Sequence, residues 1–317
     1  MAASRPIDAT VLTQPWLLVV DKTAKELLFI DLTSNKVTDR VATGDGPNPH
    51  EVAVTPDGRF AFVAIYAAPG PVYGHHIQVV DVATRTEVGR IDLGEFRGPH
   101  GLAISRDGNR LYATVEASKA LLEVSISERK VTRSFPTGQD ISHMVTLTAD
   151  ETKAYVANIR SGTVTVIELQ SGKTTQITTG AGAEGIGTRP HSNEVWATNR
   201  AADTVSVIDT RTDSVTHTIE CGEFPIRVAF GPDGTRAYVS CANSNEIAVI
   251  DAETKQIEAR INVGKMPIGL LITPDGSRAF AANTSDGTIT IIDLTKRTVV
   301  GHIAAGTEPD GMAYCVP

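Results

Sequence analysis

The sequence has few aromatic residues, few cysteines and no long apolar segment. Only 5% of its 317 residues are aromatic, and three are cysteines: Cys221, Cys241 and Cys315. So small and odd a number excludes the disulfide framework that holds together small secreted domains. No apolar run approaches the roughly 18 residues of a membrane-spanning helix, so we expect no membrane partner.

Positive charge is scarce as well. Lys and Arg number 29 against 37 Asp and Glu, which gives a formal net charge of -8, and no basic block stands out. Proteins that bind nucleic acids neutralise phosphates with such a block, so we predict no nucleic-acid partner. Residues 1–14 lack the apolar core of a secretory signal. A cytoplasmic location is therefore expected, unless a native leader has been removed.

What the sequence does contain is a repeat of about 42 residues. The stretch PIRVAFGPDG at residues 225–234 returns as PIGLLITPDG at residues 267–276. Each unit reads as four short strands of β-branched residues, with a turn of the Pro-Asp-Gly type between the first two. Four strands at this period are typical of a β-propeller blade.

The two ends of the chain predict how the ring closes. Residues 311–315 supply only a first strand, and residues 17–42 supply only the other three. The sequence thus predicts an all-β fold, a single seven-bladed β-propeller at residues 16–317, after an N-terminal extension at residues 1–15. Each blade has four antiparallel strands, and the C-terminal strand joins three N-terminal strands to close the ring. Acidic residues that end the third strands, such as Asp209 and Asp251, are interpreted as turn caps.

Two segments carry a family resemblance. Tyr155-Val156-Ala157-Asn158, followed by residues 163–167, resembles the YVTN-type propeller repeat, as does Trp196-Ala197-Thr198-Asn199 with residues 204–209. The resemblance extends over essentially the whole chain from Trp16 onward. It implies the architecture but not an activity, because propellers host binding, scaffolding and several chemistries.

Residues that depart from a repeat are candidates for function. The position after the proline that opens each first strand lies at the mouth of the central channel. Around the ring it is occupied by His50, His100, His143, Glu184, Ile226, Ile268 and Asp310. The loops that lead to the histidines are also longer than those of the other blades. Imidazole and carboxylate are common metal ligands, so His50, His100, His143 and Glu184 are predicted to bind a divalent metal ion (Zn, Fe, Mn, Ni or Mg). The alternative is ordinary polar lining of the channel.

The same face offers candidates for catalysis and for a lid. Asp310 lies next to His50 in a closed ring, where it would orient that imidazole or act as a base. The long loop at residues 66–76 contains Tyr66 and Tyr73, which would cover the mouth, and His75 and His76, of which at most one points inward. As a lid the loop would exclude water, and the alternative is a tolerated surface insertion.

Three arginines and a lysine are candidates for holding an anionic substrate. Arg160, Arg200 and Lys22 lie in loops of the same face, and Arg227 replaces a glycine found in four other blades. Cys241 stands where three blades have asparagine, and we interpret it as an inert buried thiol. Solvated surface charge is the alternative for each of the three loop residues.

Two classes of function remain open at this point. The first is a metal-dependent lyase, hydrolase or isomerase that acts on a small organic substrate, with a lactone or other carbonyl among the candidates. Pro49-His50 and Pro99-His100 resemble the Pro-His motifs of streptogramin B lyase-type propellers, which implies metal-assisted elimination. Three histidines with one glutamate also resemble the ligand sets of non-haem iron oxygenases. The second class is a non-catalytic binding or scaffold protein. The sequence does not indicate an oligomeric state.

Overall fold

Short strands rich in Val, Ile and Thr, separated by tight turns, build seven separate four-stranded sheets in the computed structural model. The structure describes residues 15–316. All strand pairs within the sheets are antiparallel, as the pairing of β5 (Phe60–Ala68) with β6 (Val72–Asp81) illustrates. The predicted all-β, seven-bladed propeller is confirmed. The predicted extension at residues 1–15 lies outside the described residues except for Pro15.

The blades are numbered here from the first complete one. Blades 1 to 3 contain β4 (Asn48–Val54), β5, β6 and β7 (Thr86–Asp92); β8 (Pro99–Ile104), β9 (Arg110–Val115), β10 (Ala120–Ser125) and β11 (Lys130–Pro136); and β12 (Ser142–Leu147), β13 (Lys153–Asn158), β14 (Thr163–Glu168) and β15 (Thr174–Thr178). Blades 4 and 5 contain β16 (Ala183–Thr188), β17 (Glu194–Asn199), β18 (Thr204–Asp209) and β19 (Ser214–Glu220); and β20 (Pro225–Phe230), β21 (Arg236–Cys241), β22 (Glu246–Asp251) and β23 (Ile257–Asn262). Blade 6 contains β24 (Pro267–Ile272), β25 (Arg278–Asn283), β26 (Thr288–Asp293) and β27 (Thr298–Ala304), and blade 7 contains β28 (Pro309–Cys315), β1 (Trp16–Asp21), β2 (Glu26–Asp31) and β3 (Lys36–Ala42).

Blade 7 joins the two ends of the chain. β28 pairs with β1 in a register that sets Trp16 opposite Cys315. The buried Asp21 carboxylate accepts hydrogen bonds from the backbone N–H groups of Thr307 (2.8 Å) and Glu308 (3.1 Å), which fixes the segment that leads into β28. Gly306 has φ +89°, and a Cβ there would lie 1.8 Å from the Asp21 Oδ2 atom, so this position requires glycine.

The hydrophobic core lies between neighbouring blades. The first strands contact one another around the ring, from β4 through β8, β12, β16, β20 and β24 to β28. Each cluster joins two blades: fully buried Trp196 of blade 4, for example, packs edge-on against Phe230 of blade 5 with 5.3 Å between ring centroids. The second and third strands are buried on both faces, whereas fourth strands such as β3 alternate between exposed and partly buried residues. The second and third strands therefore have continuous hydrophobic sequences, whereas in the fourth strands more and less buried residues alternate.

Acidic caps end most of the third strands, as predicted. The Asp251 Oδ1 atom accepts hydrogen bonds from the backbone N–H groups of Glu253 (2.9 Å) and Thr254 (2.7 Å), and Asp209 accepts one from Arg211 (2.8 Å).

Helical structure in the described residues amounts to two short 3-10 turns, Glu116–Ser118 and Thr284–Asp286. None of the helices in this part of the chain is long and apolar enough to cross a bilayer.

Candidate functional site

The residues predicted to form a ring at the channel mouth do converge there. Six of the seven line one cavity of about 260 Å³: His50, His100, His143, Glu184, Ile268 and Asp310. Their first strands start with a local break in register, between Pro99 and Leu102 in blade 2 and between Ser142 and Val145 in blade 3. A bulge of this kind redirects a side chain. Here it marks the positions whose side chains line the channel mouth.

The three histidines form a contiguous cluster. The rings of His100 and His143 stack at 3.7 Å between centroids, and the His100 Nε2 atom lies 3.1 Å from His50 Nδ1. His100 is 1% exposed, and its Nδ1 atom has no hydrogen-bond partner among residues 15–316. A buried polar atom without a partner costs free energy, so this nitrogen is a strong candidate for binding a ligand.

A second set of equivalent positions also lines the channel mouth, and the sequence analysis named only some of its residues. In four blades it is the position directly after the second strand, and its residues there line the cavity: Lys22, Glu116, Ile159 and Arg200. In blade 1, where the second strand is longer, the lining residue is Tyr66 within β5. Tyr66 had been predicted from the lid, and Lys22 and Arg200 from the loops. The same comparison between blades would have found Glu116, because this position also varies around the ring.

Glu116 gives the cluster its tightest set of ligand atoms. Its buried carboxylate accepts hydrogen bonds from the Tyr66 hydroxyl and contacts the His143 Nδ1 atom. One ligand atom from each of His100, Glu116 and His143 lies within 4.8 Å of the others. Glu116 was not among the four residues predicted from the sequence as metal ligands, but it lies in contact with one of them, His143.

Glu184 and His50 flank this set. The Glu184 Oε1 atom lies 3.5 Å from His143 Nε2, and its Oε2 atom lies 2.5 Å from Arg200 Nη1. Tyr66 covers the other side, with its ring edge-on to His50 at 4.7 Å and to His100 at 5.0 Å between centroids. Tyr66 therefore shields the histidines from solvent.

A buried ion pair crosses the channel beside the histidines. Arg227 of blade 5 contacts the carboxylate of Glu51 in blade 1, and both side chains are buried. The Arg227 Nη2 atom also lies 3.8 Å from Asp310 Oδ1, and Asp310 Oδ2 lies 3.2 Å from Lys22 Nζ and 3.6 Å from His50 Nδ1. Glu51 was missed because its partner is 176 residues away. Arg227 Nη1 is buried without a partner in the described part of the chain.

Burial and charge separate the protonation states of the histidines. Burial lowers the pKa of His50 to about 3 and holds the pKa of His100 well below its usual value. Burial also lowers the pKa of His143, but Glu116 and Glu184 outweigh it and raise this pKa to about 9. Burial raises the pKa of Asp310, yet Lys22, His50 and Arg227 hold it below its ordinary value. Without a bound cation, the cluster thus presents two neutral imidazoles beside a charged one, and His143 would have to lose its proton to coordinate a metal ion.

Four of the predicted residues do not line the cavity: His75, His76, Arg160 and Tyr73. His75 and His76 lie on β6, the third strand of blade 1, where His76 pairs with Asp92 of the outer strand β7. Because third strands lie farther from the channel, these histidines do not line it, and their predicted catalytic role is corrected. Arg160 is exposed and lies outside the lining residues, whereas its neighbour Ile159 lines the cavity.

The predicted lid is an extended hairpin. β5 and β6 have 9 and 10 residues, against 6 in most inner strands. Tyr73 does not line the cavity, but it packs against Tyr66 with 6.3 Å between ring centroids and is 40% exposed. Tyr73 therefore packs on the solvent side of Tyr66 and helps to hold its ring in place.

Solved structures share this fold at low sequence identity. The chain is similar to hydrazine synthase from Kuenenia stuttgartiensis, with TM-score 0.74, 19% identity, and coverage of 84% of this chain and 90% of that chain. It is also similar to a functionally unknown protein from Desulfotomaculum acetoxidans, with TM-score 0.80, 12% identity, and coverage of 95% and 99%. No curated protein matches the sequence. Such distant likenesses support the fold alone.

One family model matches well over half of the chain. It describes a YNCE-like beta-propeller and spans residues 76–278, from β6 of blade 1 to the start of β25 in blade 6. The matched blades include His100, His143, Glu116 and Glu184. The predicted YVTN-type resemblance is consistent with this match, and the chain belongs to the YNCE-like β-propeller family.

Proposed function

We propose that the channel mouth binds a divalent metal ion through His100, His143 and Glu116, with His50 and Glu184 as adjoining donors. Two observations on His100 carry the proposal: it offers a donor atom within 4.8 Å of donor atoms of Glu116 and His143, and its buried Nδ1 atom has no hydrogen-bond partner among residues 15–316. Nitrogen and carboxylate donors together suit Zn, Fe, Mn or Ni better than Mg, which prefers oxygen ligands.

We further propose that the site acts on a small anionic substrate by elimination, hydrolysis or isomerisation. A bound metal ion would polarise a carbonyl or lower the pKa of a bound water. The residues of the chain would bind the substrate and position the histidines. Lys22, Arg200 and Arg227 line the cavity and would be the anion-binding groups. Arg227 is the best placed of them, because its Nη1 atom has no hydrogen-bond partner among residues 15–316. Asp310, whose pKa is lowered, positions His50 rather than acting as a strong base.

The cavity limits the size of this substrate. A volume of about 260 Å³ holds a small organic acid or lactone but no polymer. Tyr66 closes one side of the mouth and reduces the access of water to the histidines. We expect Tyr66 to move or to pack against the substrate when it enters.

The proposal is tested by measuring metal content and affinity in matched variants. We expect purified protein loaded with Zn²⁺ or Co²⁺ to hold about one ion per chain. His100→Ala should lose it, and Glu116→Gln should bind at least about tenfold more weakly. His217→Ala and Glu246→Gln are the controls, because His217 is exposed on β19 and Glu246 is a buried carboxylate paired with Arg260 outside the cavity. Equal metal binding by all four variants would overturn the metal site.

A non-catalytic binding protein is the second candidate. Glu116 and Glu184 already have cationic partners in His143 and Arg200, so the mouth is balanced in charge without a metal ion. This candidate predicts that small carboxylates raise the melting temperature of metal-free protein, and that Arg227→Met abolishes the shift. Stabilisation by anions that requires added metal would favour the enzyme instead.

A further inference from the structure

Two of the three cysteines lie side by side near the channel mouth. The Sγ atoms of Cys221 and Cys241 are 3.6 Å apart. Cys221 follows β19 in the linker between blades 4 and 5, and Cys241 is the last residue of β21 in blade 5. A small change of side-chain torsion brings two such sulfurs to bonding distance. The pair was not apparent from the sequence because 20 residues separate its members.

The repeat shows that both cysteines replace other residues at facing positions. The equivalent pairs in other blades are Thr137 and Asn158, Thr179 and Asn199, and Val263 and Asn283. In blade 3 the Asn158 amide donates hydrogen bonds to Thr163 and to the Thr165 hydroxyl (2.9 Å). A thiol cannot replace that amide, so the blade architecture does not account for two cysteines at this contact.

The two thiols differ in exposure and acidity. Cys221 is partly exposed, and a hydrogen bond from Cys241 lowers its pKa. Cys241 is buried, and both its bond to Cys221 and its burial raise its pKa. This asymmetry suits an attacking thiol and a resolving thiol. Cys315 is buried elsewhere, its thiol donates to the Gly58 carbonyl, and burial raises its pKa to about 11.

We propose that Cys221 and Cys241 form a reversible disulfide by exchange with a low-molecular-weight disulfide such as oxidised glutathione. The Cys221 thiolate attacks one glutathione sulfur and releases one glutathione thiolate. Cys241 loses its proton and attacks the Cys221 sulfur of the mixed disulfide, which releases the second. Two protein thiols are thus oxidised, and one glutathione disulfide is reduced to two thiols.

The disulfide would tie the linker of blade 5 to its second strand. The strand between them, β20, carries Arg227, whose backbone N–H donates to the Ser240 hydroxyl at 3.1 Å. Oxidation therefore stiffens the support of Arg227 without touching the histidine cluster. The proposal does not depend on the metal site.

The test uses the wild-type chain incubated with oxidised glutathione. We expect thiols titrated after denaturation to fall from three to one per chain. Trypsin digestion without reductant should yield a joined pair of peptides, residues 212–227 and 237–255. The loop closed by the bond should raise the melting temperature by about 5 °C, and dithiothreitol should reverse this rise.

Single cysteine variants distinguish the disulfide between Cys221 and Cys241 from oxidation of Cys315. Cys315→Ser should form the bond and show the rise in melting temperature as the wild type does. Cys221→Ser should retain its two thiols, Cys241→Ser should stop at a glutathione mixed disulfide on Cys221, and neither variant should show the rise in melting temperature. Three thiols in the treated wild type, or crosslinks only through Cys315, would overturn the proposal.

Discussion

At the residue scale, the blades differ most at three positions around the channel mouth. In blade 2 these are His100, which follows the proline that opens the first strand, Gly101, which comes next, and Glu116, which follows the second strand. Where these positions carry the common residue they serve the fold, as glycine does at Gly101, because a Cβ there would lie 2.5 Å from the His143 carbonyl oxygen. Where they carry Glu116 or Arg227 instead, they line the cavity, and Glu51 holds Arg227 by a buried ion pair.

The ion pair between Glu51 and Arg227 gives the prediction at this scale. Arg227→Met should lower the free energy of unfolding by about 3 kcal/mol, because it leaves the buried Glu51 carboxylate without its partner. Replacing both residues, in Glu51→Leu with Arg227→Met, should recover more than half of the loss. Urea denaturation of the two variants and the wild type measures this. A loss below about 0.5 kcal/mol in the single variant would contradict it.

At the element scale, the turns between first and second strands carry short-range acidic caps. In blade 6 the Asp275 Oδ1 atom accepts hydrogen bonds from the Thr273 hydroxyl (2.5 Å) and the Ser277 backbone N–H (3.0 Å). Asp57 and Asp107 make the same contacts in blades 1 and 2. These caps fix the hairpins and hence the strands that lead to the channel.

The cap at Asp275 predicts a dependence of stability on pH. Its hydrogen bonds lower its pKa to about 2, below the unfolded value of about 3.9. The cap therefore stabilises the fold above pH 4 and ceases to do so as pH falls through 2. Asp275→Asn should be less stable than the wild type at pH 6, by about 1 kcal/mol at most because the side chain is exposed.

Urea denaturation of the wild type and Asp275→Asn at pH 6, 4 and 2 measures this effect. The difference between them should shrink from pH 4 to pH 2. Asp45→Asn, at an exposed carboxylate, is the control. A difference that stays constant with pH would contradict the assignment.

At the scale of the whole molecule, stability depends on closing the ring. β28 covers the inner edge of β1, and Asp21 holds the segment that precedes it. Without β28, blade 7 would present an unpaired inner strand and an open gap between blades 6 and 1.

A truncation tests the importance of this closure. A chain that ends at Glu308 lacks β28 and should aggregate or melt at least about 5 °C lower than the full chain, because the apolar contacts of Ala313 and Cys315 are lost. Asp310 is lost with it. A chain that ends at Val316 keeps the whole strand and is the control. Light scattering and thermal denaturation distinguish the two, and equal behaviour would refute the role of closure.

The extent to which the site follows from the sequence can be seen in particular residues. His50, His100, His143 and Glu184 were predicted from the ring position alone, because propeller symmetry converts equal repeat positions into a shared location. Glu116 and Glu51 were not predicted, since their importance comes from contacts with residues of other blades. His75 and His76 were misplaced because the length of the hairpin does not reveal how far its strands lie from the channel.

The sequence by itself determined the architecture: the period, the turns and the divided blade specify seven sheets and the way the ends meet, because these are local patterns repeated along the chain. Only the tertiary structure decided which donors share one cluster, that an ion pair crosses the channel, and that two thiols are neighbours. Those contacts join side chains from different strands and blades, and their distances depend on bulges and packing, which single-chain patterns do not encode.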